Sequence, residues 1–89
     1  MDYSLIVKTL AELDIAEAFE WYTNISEHLP KELMADIDNS LESVKENPEH
    51  YQRRYGEVRI VFIIKFPYGI YYTIEENTVF VRCTAHQKN

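Results

Sequence analysis

The first half of the chain carries its apolar residues at helical spacing. Before it, Tyr3 to Val7 alternates and is rich in β-prone side chains, which predicts a short first strand. Thr9 and Glu12 then have the spacing of a capping box, which marks a helix N-terminus. The apolar residues that follow recur every three or four positions: Ile15, Ala18, Phe19, Tyr22, Ile25 and Leu29. This pattern predicts an amphipathic helix over Thr9–Leu29.

A second helix is predicted directly after the first. Pro30 suits the first turn of a helix, where its missing N–H costs nothing, and Asn47-Pro48 ends the pattern. The apolar face of this helix consists of Leu33, Met34, Ile37, Leu41 and Val44. Because the connection is so short, we expect Pro30–Asn47 to pack back on the first helix as a helical hairpin.

Three strand-like runs follow a polar connector that contains Arg53, Arg54 and Gly56. They are Val58–Phe66, Ile70–Glu75 and Thr78–Ala85. The joints at 67–69 and 75–77 are short and rich in turn formers, which favours antiparallel hairpins. The order β-α-α-β-β-β predicts an α+β fold, with an antiparallel sheet of about four strands and the helical hairpin packed on one face. At 89 residues, the chain is expected to form one domain over 1–89.

Strand alternation separates the side chains of the sheet into two sets. In the last strand Val79, Val81, Cys83 and Ala85 should meet the helices, and Phe80, Arg82, Thr84 and His86 should point away from them. The same reasoning places Arg59 of the preceding run and Tyr71 on the outward side. Cationic and titratable groups in such an apolar stretch need a reason to be there. The sequence therefore predicts a functional face with Arg59, Arg82, His86 and Tyr71.

The charge of −6 is divided unevenly along the chain. Residues 1–50 hold three Lys and Arg against twelve Asp and Glu, which gives −9. Residues 51–89 hold six Lys and Arg against three Glu, which gives +3. A solvated helix surface explains the acidic half, whereas an anionic ligand would be drawn to the C-terminal half.

The remaining composition points to a protein of a reducing compartment. The single cysteine, Cys83, cannot form an intrachain disulfide, and the N-terminus lacks the pattern of a signal peptide. No apolar run approaches membrane-spanning length, so a cytoplasmic location without a membrane partner is expected. The positions of Cys83 and His86 differ by three, an odd number, so the two side chains are expected on opposite strand faces, which argues against a metal site. With no Gly-rich phosphate loop either, no cofactor is expected.

Several short stretches together resemble the RelE/ParE superfamily, the toxins of bacterial type II toxin–antitoxin and plasmid-stabilisation modules. The residues that carry the resemblance are Trp21-Tyr22, Glu46-Asn-Pro48 ahead of Tyr51, Arg59 within Val-Arg-Ile-Val-Phe, Lys65-Phe-Pro-Tyr-Gly-Ile-Tyr-Tyr72 and Ala85-His86-Gln-Lys88. Together with the element order they cover nearly the whole chain. The resemblance implies a compact toxin that a cognate antitoxin neutralises in a hetero-oligomeric complex.

The superfamily divides by activity, and the resemblance leaves the division open. RelE-like members are mRNA interferases that cleave messages on the ribosome, ParE-like members poison DNA gyrase, and an inactive descendant would serve only as a protein-binding module. If the chain is a nuclease, the resemblance implies that Arg59 and Arg82 clamp phosphate and His86 is the acid or base.

Further substrate contacts would come from the connector and the strands, namely Arg53, Arg54, Lys65 and Tyr71. The alternative for each is structural. The arginines would form ion pairs with carboxylates such as Glu57 or Glu75. Lys65 would extend along the surface into solvent, and the tyrosine would pack.

Overall fold

The computed structural model describes residues 3–86 and contains two α-helices, one short 3-10 helix and five strands. In chain order the elements are β1 (Ser4–Val7), α1 (Thr9–Thr23), α2 (Leu29–Glu46), the 3-10 helix (Pro48–His50), β2 (Arg53–Tyr55), β3 (Val58–Phe62), β4 (Tyr68–Glu75) and β5 (Thr78–His86). The predicted α+β fold with its helical hairpin is confirmed.

The strands form one sheet in the order β1-β5-β4-β3-β2. β1 runs parallel to β5, and the other neighbours are antiparallel. The parallel pairing arises because the helical hairpin carries the chain away before it returns through the C-terminal strands. Main-chain bonds from Ser4 N to the Asn77 oxygen at 2.8 Å and from Lys8 N to the Val81 oxygen at 2.9 Å fix both ends of β1.

The helices cover one face of the sheet and bury the main core against it. This core consists of Ala11, Ala18, Leu33, Ile37, Leu41, Val44, Val61, Ile63, Phe66, Ile70, Tyr72, Val79 and Val81. The opposite face carries no helix within the described residues, and we call it the open face. Four of the five residues predicted as the apolar side of α2 are buried, whereas Met34 is 36% exposed.

The connector between the hairpin and β3 contains a strand that the sequence did not indicate. β2 is only three residues long and exposed, so it shows neither an apolar run nor an alternation that could predict it. It pairs with β3 through a turn at Gly56, whose φ of 51° is in the left-handed region that glycine adopts without steric cost.

α1 and β3 are both shorter than the sequence predicted. α1 ends at Thr23, where the Thr23 hydroxyl donates to the Phe19 carbonyl oxygen at 2.8 Å, and the remaining predicted turn is a loop. β3 ends at Phe62. The amide of Ile63 still donates to the Tyr68 carbonyl oxygen at 3.1 Å, but the two amides after it have another acceptor. The buried Asp36 carboxylate of α2 accepts the N–H groups of Ile64 at 3.1 Å and Lys65 at 2.7 Å.

We predict that Asp36→Ala destabilises the fold by about 2 kcal/mol, because two part-buried amides then lose a charged acceptor. The matched control is Asp38→Ala, which removes an exposed carboxylate from the same helix and should change stability by about 0.5 kcal/mol or less. Urea denaturation of both variants measures the difference. Equal midpoints for the two variants would show that Asp36 does not hold the loop.

Candidate functional site

One extra residue in β5 decides on which face of the sheet Thr84 and His86 lie. Tyr72 of β4 is opposite Val81, but the preceding Tyr71 is opposite Cys83, so Arg82 is a β-bulge. Residues directly opposite each other in an antiparallel pair share a face. Beyond the bulge, the register therefore reverses the alternation that the sequence predicts.

The reversal moves His86 and Thr84 to the helix-covered side. Thr84 is opposite Ile70 and His86 is opposite Tyr68, and Ile70 and Tyr68 both pack on the helix side. The prediction that Arg82 and His86 share a face is therefore wrong. For the same reason Cys83 and Ala85, which were expected to meet the helices, lie on the open side; Val79 and Val81 precede the bulge and are in the core as expected.

Arg82 is on the open face, bound to the neighbouring strand. Its Nε donates to Thr73 Oγ1 at 3.0 Å, and its Nη2 pairs with Glu75 Oε2 at 2.7 Å. The guanidinium carbon is 5.2 Å from the ring centroid of Phe80, and Lys8 Nζ is 5.9 Å from the same ring. The open face therefore presents two cations around one aromatic ring, with one of them paired to a carboxylate.

Arg59 is on the helix side, where it holds the connector to the sheet. It is opposite the buried Tyr72 in the register of β3 and β4. Its Nη1 donates to the carbonyl oxygens of Tyr51 at 2.7 Å and Glu49 at 3.1 Å. Beside it, the Tyr72 hydroxyl donates to the Pro48 carbonyl oxygen at 2.6 Å, and burial raises the pKa of Tyr72. Both side chains bind main-chain oxygens of the segment that follows α2. These contacts hold that segment against the sheet.

His86 stands at the rim of a cavity of about 770 Å³ between α1 and the ends of β4 and β5. Its ring is edge-on to Tyr68 at a centroid distance of 5.2 Å. The other side chains that line the cavity are Asp14, Glu17, Ala18, Glu20, Trp21, Asn24 and Thr84. His86 therefore shares this cavity with three carboxylates and two aromatic side chains, and none of the described residues that line it is an arginine.

The predicted substrate contacts are spread over three places. Arg53 and Arg54 are exposed on β2, where Arg53 is 3.8 Å from Glu57 in an ion pair. Lys65 is exposed in the loop between β3 and β4, not within a strand as the sequence predicted. Tyr71 is half-buried on the open face, opposite Ile60 and Cys83.

The three predicted catalytic residues consequently do not converge. Arg82 is on the open face, and Arg59 and His86 are on the helix side. Measured along β4, the positions opposite Arg59 and His86 are four residues apart, which is about 13 Å. Phosphate clamps and a proton donor must contact one phosphodiester at the same time, and here the three groups are divided between the two faces of the sheet.

Two carboxylates that sequence reasoning missed position this end of the sheet. Asp14 of α1 accepts the N–H of Thr84 at 3.0 Å, just beyond the bulge, and Asp36 binds the β3–β4 loop. Both were assigned to the solvated acidic surface. The available signal was that each stands next to an apolar residue of the core side, Ile15 and Ile37 respectively.

The remaining features of the described residues concern the cysteine, metal ligands and membrane spans. Burial, with a smaller contribution from the Asp14 carboxylate, raises the pKa of the Cys83 thiol above its ordinary value. Among residues 3–86 there is no group of three or more metal-ligating side chains. None of the described helices is long and apolar enough to span a bilayer.

The comparisons with known proteins agree with this fold. Residues 5–89 match the family model described as the ParE toxin of the type II toxin–antitoxin system parDE. A solved chain of the chromosomal ParDE system from P. aeruginosa has a TM-score of 0.86 at 13% identity, with 97% of each chain covered. A chain of the RelBE2 toxin–antitoxin complex from Mycobacterium tuberculosis has a TM-score of 0.66 at 16% identity, covering 98% of this chain and 100% of that one. Curated protein sequences give no match.

We predict that Arg59→Ala destabilises the fold by about 2 kcal/mol, because two charged hydrogen bonds to backbone carbonyls are lost. Arg82→Ala should cost about 1 kcal/mol or less, since its ion pair with Glu75 is largely exposed. Guanidinium denaturation compares the two variants. If Arg82→Ala proved the more destabilising change, the structural role given to Arg59 would be refuted.

We also predict that Cys83 reacts slowly with iodoacetamide. The thiolate is the reactive form, so a raised thiol pKa lowers its fraction at mildly alkaline pH and moves the rate profile to higher pH. Mass spectrometry of folded chain and of chain unfolded in urea gives both profiles. If the folded chain reacted at the same pH as the unfolded chain, or at a lower pH, the buried environment of the thiol would be contradicted.

Proposed function

The chain belongs to the ParE toxin family of type II toxin–antitoxin systems, and from this premise we propose that it arrests bacterial growth by binding DNA gyrase. A cognate antitoxin neutralises it, and both act in the cytoplasm, where gyrase works. The resemblance to the RelE/ParE superfamily that the sequence indicated is confirmed.

The observation that carries the proposal is the separation of Arg59, Arg82 and His86. Cleavage of an RNA strand at its 2′-hydroxyl needs a proton acceptor, a proton donor and cations against the charge that develops on phosphorus. Here one arginine binds backbone carbonyls, the other binds Glu75, and the histidine faces an acidic cavity. A toxin that acts by binding needs none of these groups to converge.

The charge of the chain favours the same choice. Affinity for RNA comes mainly from cations that neutralise phosphates, and a chain of −6 has little of this attraction to offer. The acidic cavity at His86 would repel a phosphate that approached the imidazole. A ribosome-bound message is therefore a poor substrate for this surface.

The open face supports a protein target. Ile6 is 45% exposed there and lies beside Phe80 in the register, and Phe62 is 52% exposed further along the same face. Aromatic residues and arginine are enriched in protein interfaces relative to the rest of the surface. We assign the contact with gyrase to this face, with Arg82 and Tyr71 as part of it.

An antitoxin partner follows from the family. The two similar structures come from a ParDE toxin–antitoxin system and a RelBE2 toxin–antitoxin complex, so comparable chains occur together with antitoxins. By analogy, the present chain is expected to be tolerated when its partner is present and to arrest growth when it is produced alone.

We predict that induction of the chain without its partner arrests growth with DNA breaks and an SOS response, while translated messages stay intact. His86→Ala should arrest growth within about twofold of the unmodified chain, whereas a proton-transfer role would cost about 10² or more in rate. An SOS reporter and primer extension on abundant messages measure the two products. Denaturation midpoints confirm that the variant is folded.

Cuts in translated messages that disappear in His86→Ala would replace the gyrase proposal with ribosome-dependent cleavage. Normal growth at confirmed soluble production would replace it with an inactive binding module. Breaks that persist in His86→Ala with intact messages are the outcome the proposal requires.

A further inference from the structure

The cavity beside His86 has walls that the proposed function does not use. Its volume of about 770 Å³ is in the range of small-molecule sites. Three of the side chains that line it are the carboxylates of Asp14, Glu17 and Glu20, and none of the described residues around it is a lysine or an arginine. Walls of one charge sign concentrate ions of the opposite sign in a cleft. The cavity therefore favours a cationic ligand.

The three carboxylates follow one another along α1. Asp14, Glu17 and Glu20 are each three residues apart, so successive side chains start about 4.5 Å further along the helix axis. Among residues 3–86 no group of three or more metal-ligating side chains is close enough together to hold a metal ion. Negative charges at such intervals match a ligand whose positive charges are distributed along a chain.

Two aromatic side chains complete the cavity. Trp21 is seven residues after Asp14, two helical turns on, so it is on the same side of α1, and it is 64% exposed. Tyr68 of β4 lines the sheet side. An indole left largely in water does not gain the burial that aromatic side chains usually contribute. Its π face, however, attracts an ammonium group more strongly than any other aromatic side chain does. The exposed ring is thus a second feature that selects a cation, independent of the carboxylates.

We propose that this cavity binds a linear aliphatic polyamine, whose ammonium groups pair with the carboxylates of α1 and one of which lies over the ring of Trp21. Three or four methylene groups between two nitrogens span roughly 5–6 Å, given single bonds of about 1.5 Å, which is close to the interval between successive carboxylates. A hydrated divalent cation matches less well, because it gives up its water reluctantly and has no extended charge.

Trp21 is the single tryptophan of the chain, so its fluorescence reports on the cavity directly. Spermidine, putrescine, n-butylamine and Mg²⁺ are titrated into the full chain at one ionic strength. We expect spermidine to change the emission saturably and to bind at least about fivefold more tightly than butylamine, because each further ammonium group gains a carboxylate. Butylamine or Mg²⁺ binding as tightly as spermidine would overturn the proposal, and so would the absence of a saturable change.

Variants that each remove one charge locate the binding. Glu17→Gln and Glu20→Gln should each weaken spermidine binding about threefold, because an ammonium group loses its partner. The matched control is Glu42→Gln, which removes an exposed carboxylate of α2 outside the cavity and should leave the affinity unchanged. All three positions are exposed, so the variants are expected to fold. If Glu42→Gln weakened binding as much as Glu17→Gln, attraction to the net charge would account for it and the proposal would be wrong.

Two substitutions of Trp21 test the role of its ring, with calorimetry in place of fluorescence. Trp21→Phe keeps an aromatic face and should hold spermidine within about twofold of the unmodified chain. Trp21→Leu keeps only apolar surface and should weaken spermidine binding about threefold or more. Denaturation midpoints show whether both variants are folded. Equal affinities of the phenylalanine and leucine variants would show that the ring holds no ammonium group and would contradict the proposal.

Discussion

The β-bulge at Arg82 is the constraint on which the arrangement of side chains in this protein depends. Before it, Val79 and Val81 enter the core; after it, Thr84 and His86 face the same side, because one residue has been taken out of the alternation. Asp14 of α1 then accepts the N–H of Thr84, which holds the shifted register against the helix. Without the extra residue, the part of β5 that follows Arg82 would present the opposite set of side chains to α1.

A second carboxylate completes the attachment of the helices to this end of the sheet. Asp36 of α2 takes the amides of Ile64 and Lys65 out of the strand ladder, so β3 ends there and the loop to β4 is fixed. The connector at the other end of β3 is fixed by Arg59 and Tyr72, which bind main-chain oxygens after α2. The charge of Arg59 in an apolar stretch is thus explained by backbone carbonyl groups that need partners.

The sequence predicts what depends on periodicity. The two helices, the three C-terminal strands and the first strand follow from spacing, because their apolar faces must be buried together. The bulge at Arg82 has no such signal, since neither Arg82 nor Cys83 differs from an ordinary strand residue. The reach of Arg59 to carbonyls eight and ten residues away is a tertiary contact that local pattern cannot contain. The sequence therefore identifies these residues as unusual, but it does not predict on which face of the sheet their side chains lie.

The structure divides the three predicted catalytic groups between the two faces of the sheet. The claim rests on the side chain of His86, and nuclear Overhauser contacts in the folded chain test it most directly. The account predicts contacts between the ring protons of His86 and Tyr68, whose ring centroids are 5.2 Å apart, and none between His86 and Phe80 or Arg82. Contacts from His86 to Phe80 or Arg82 would place them on one face and contradict the account.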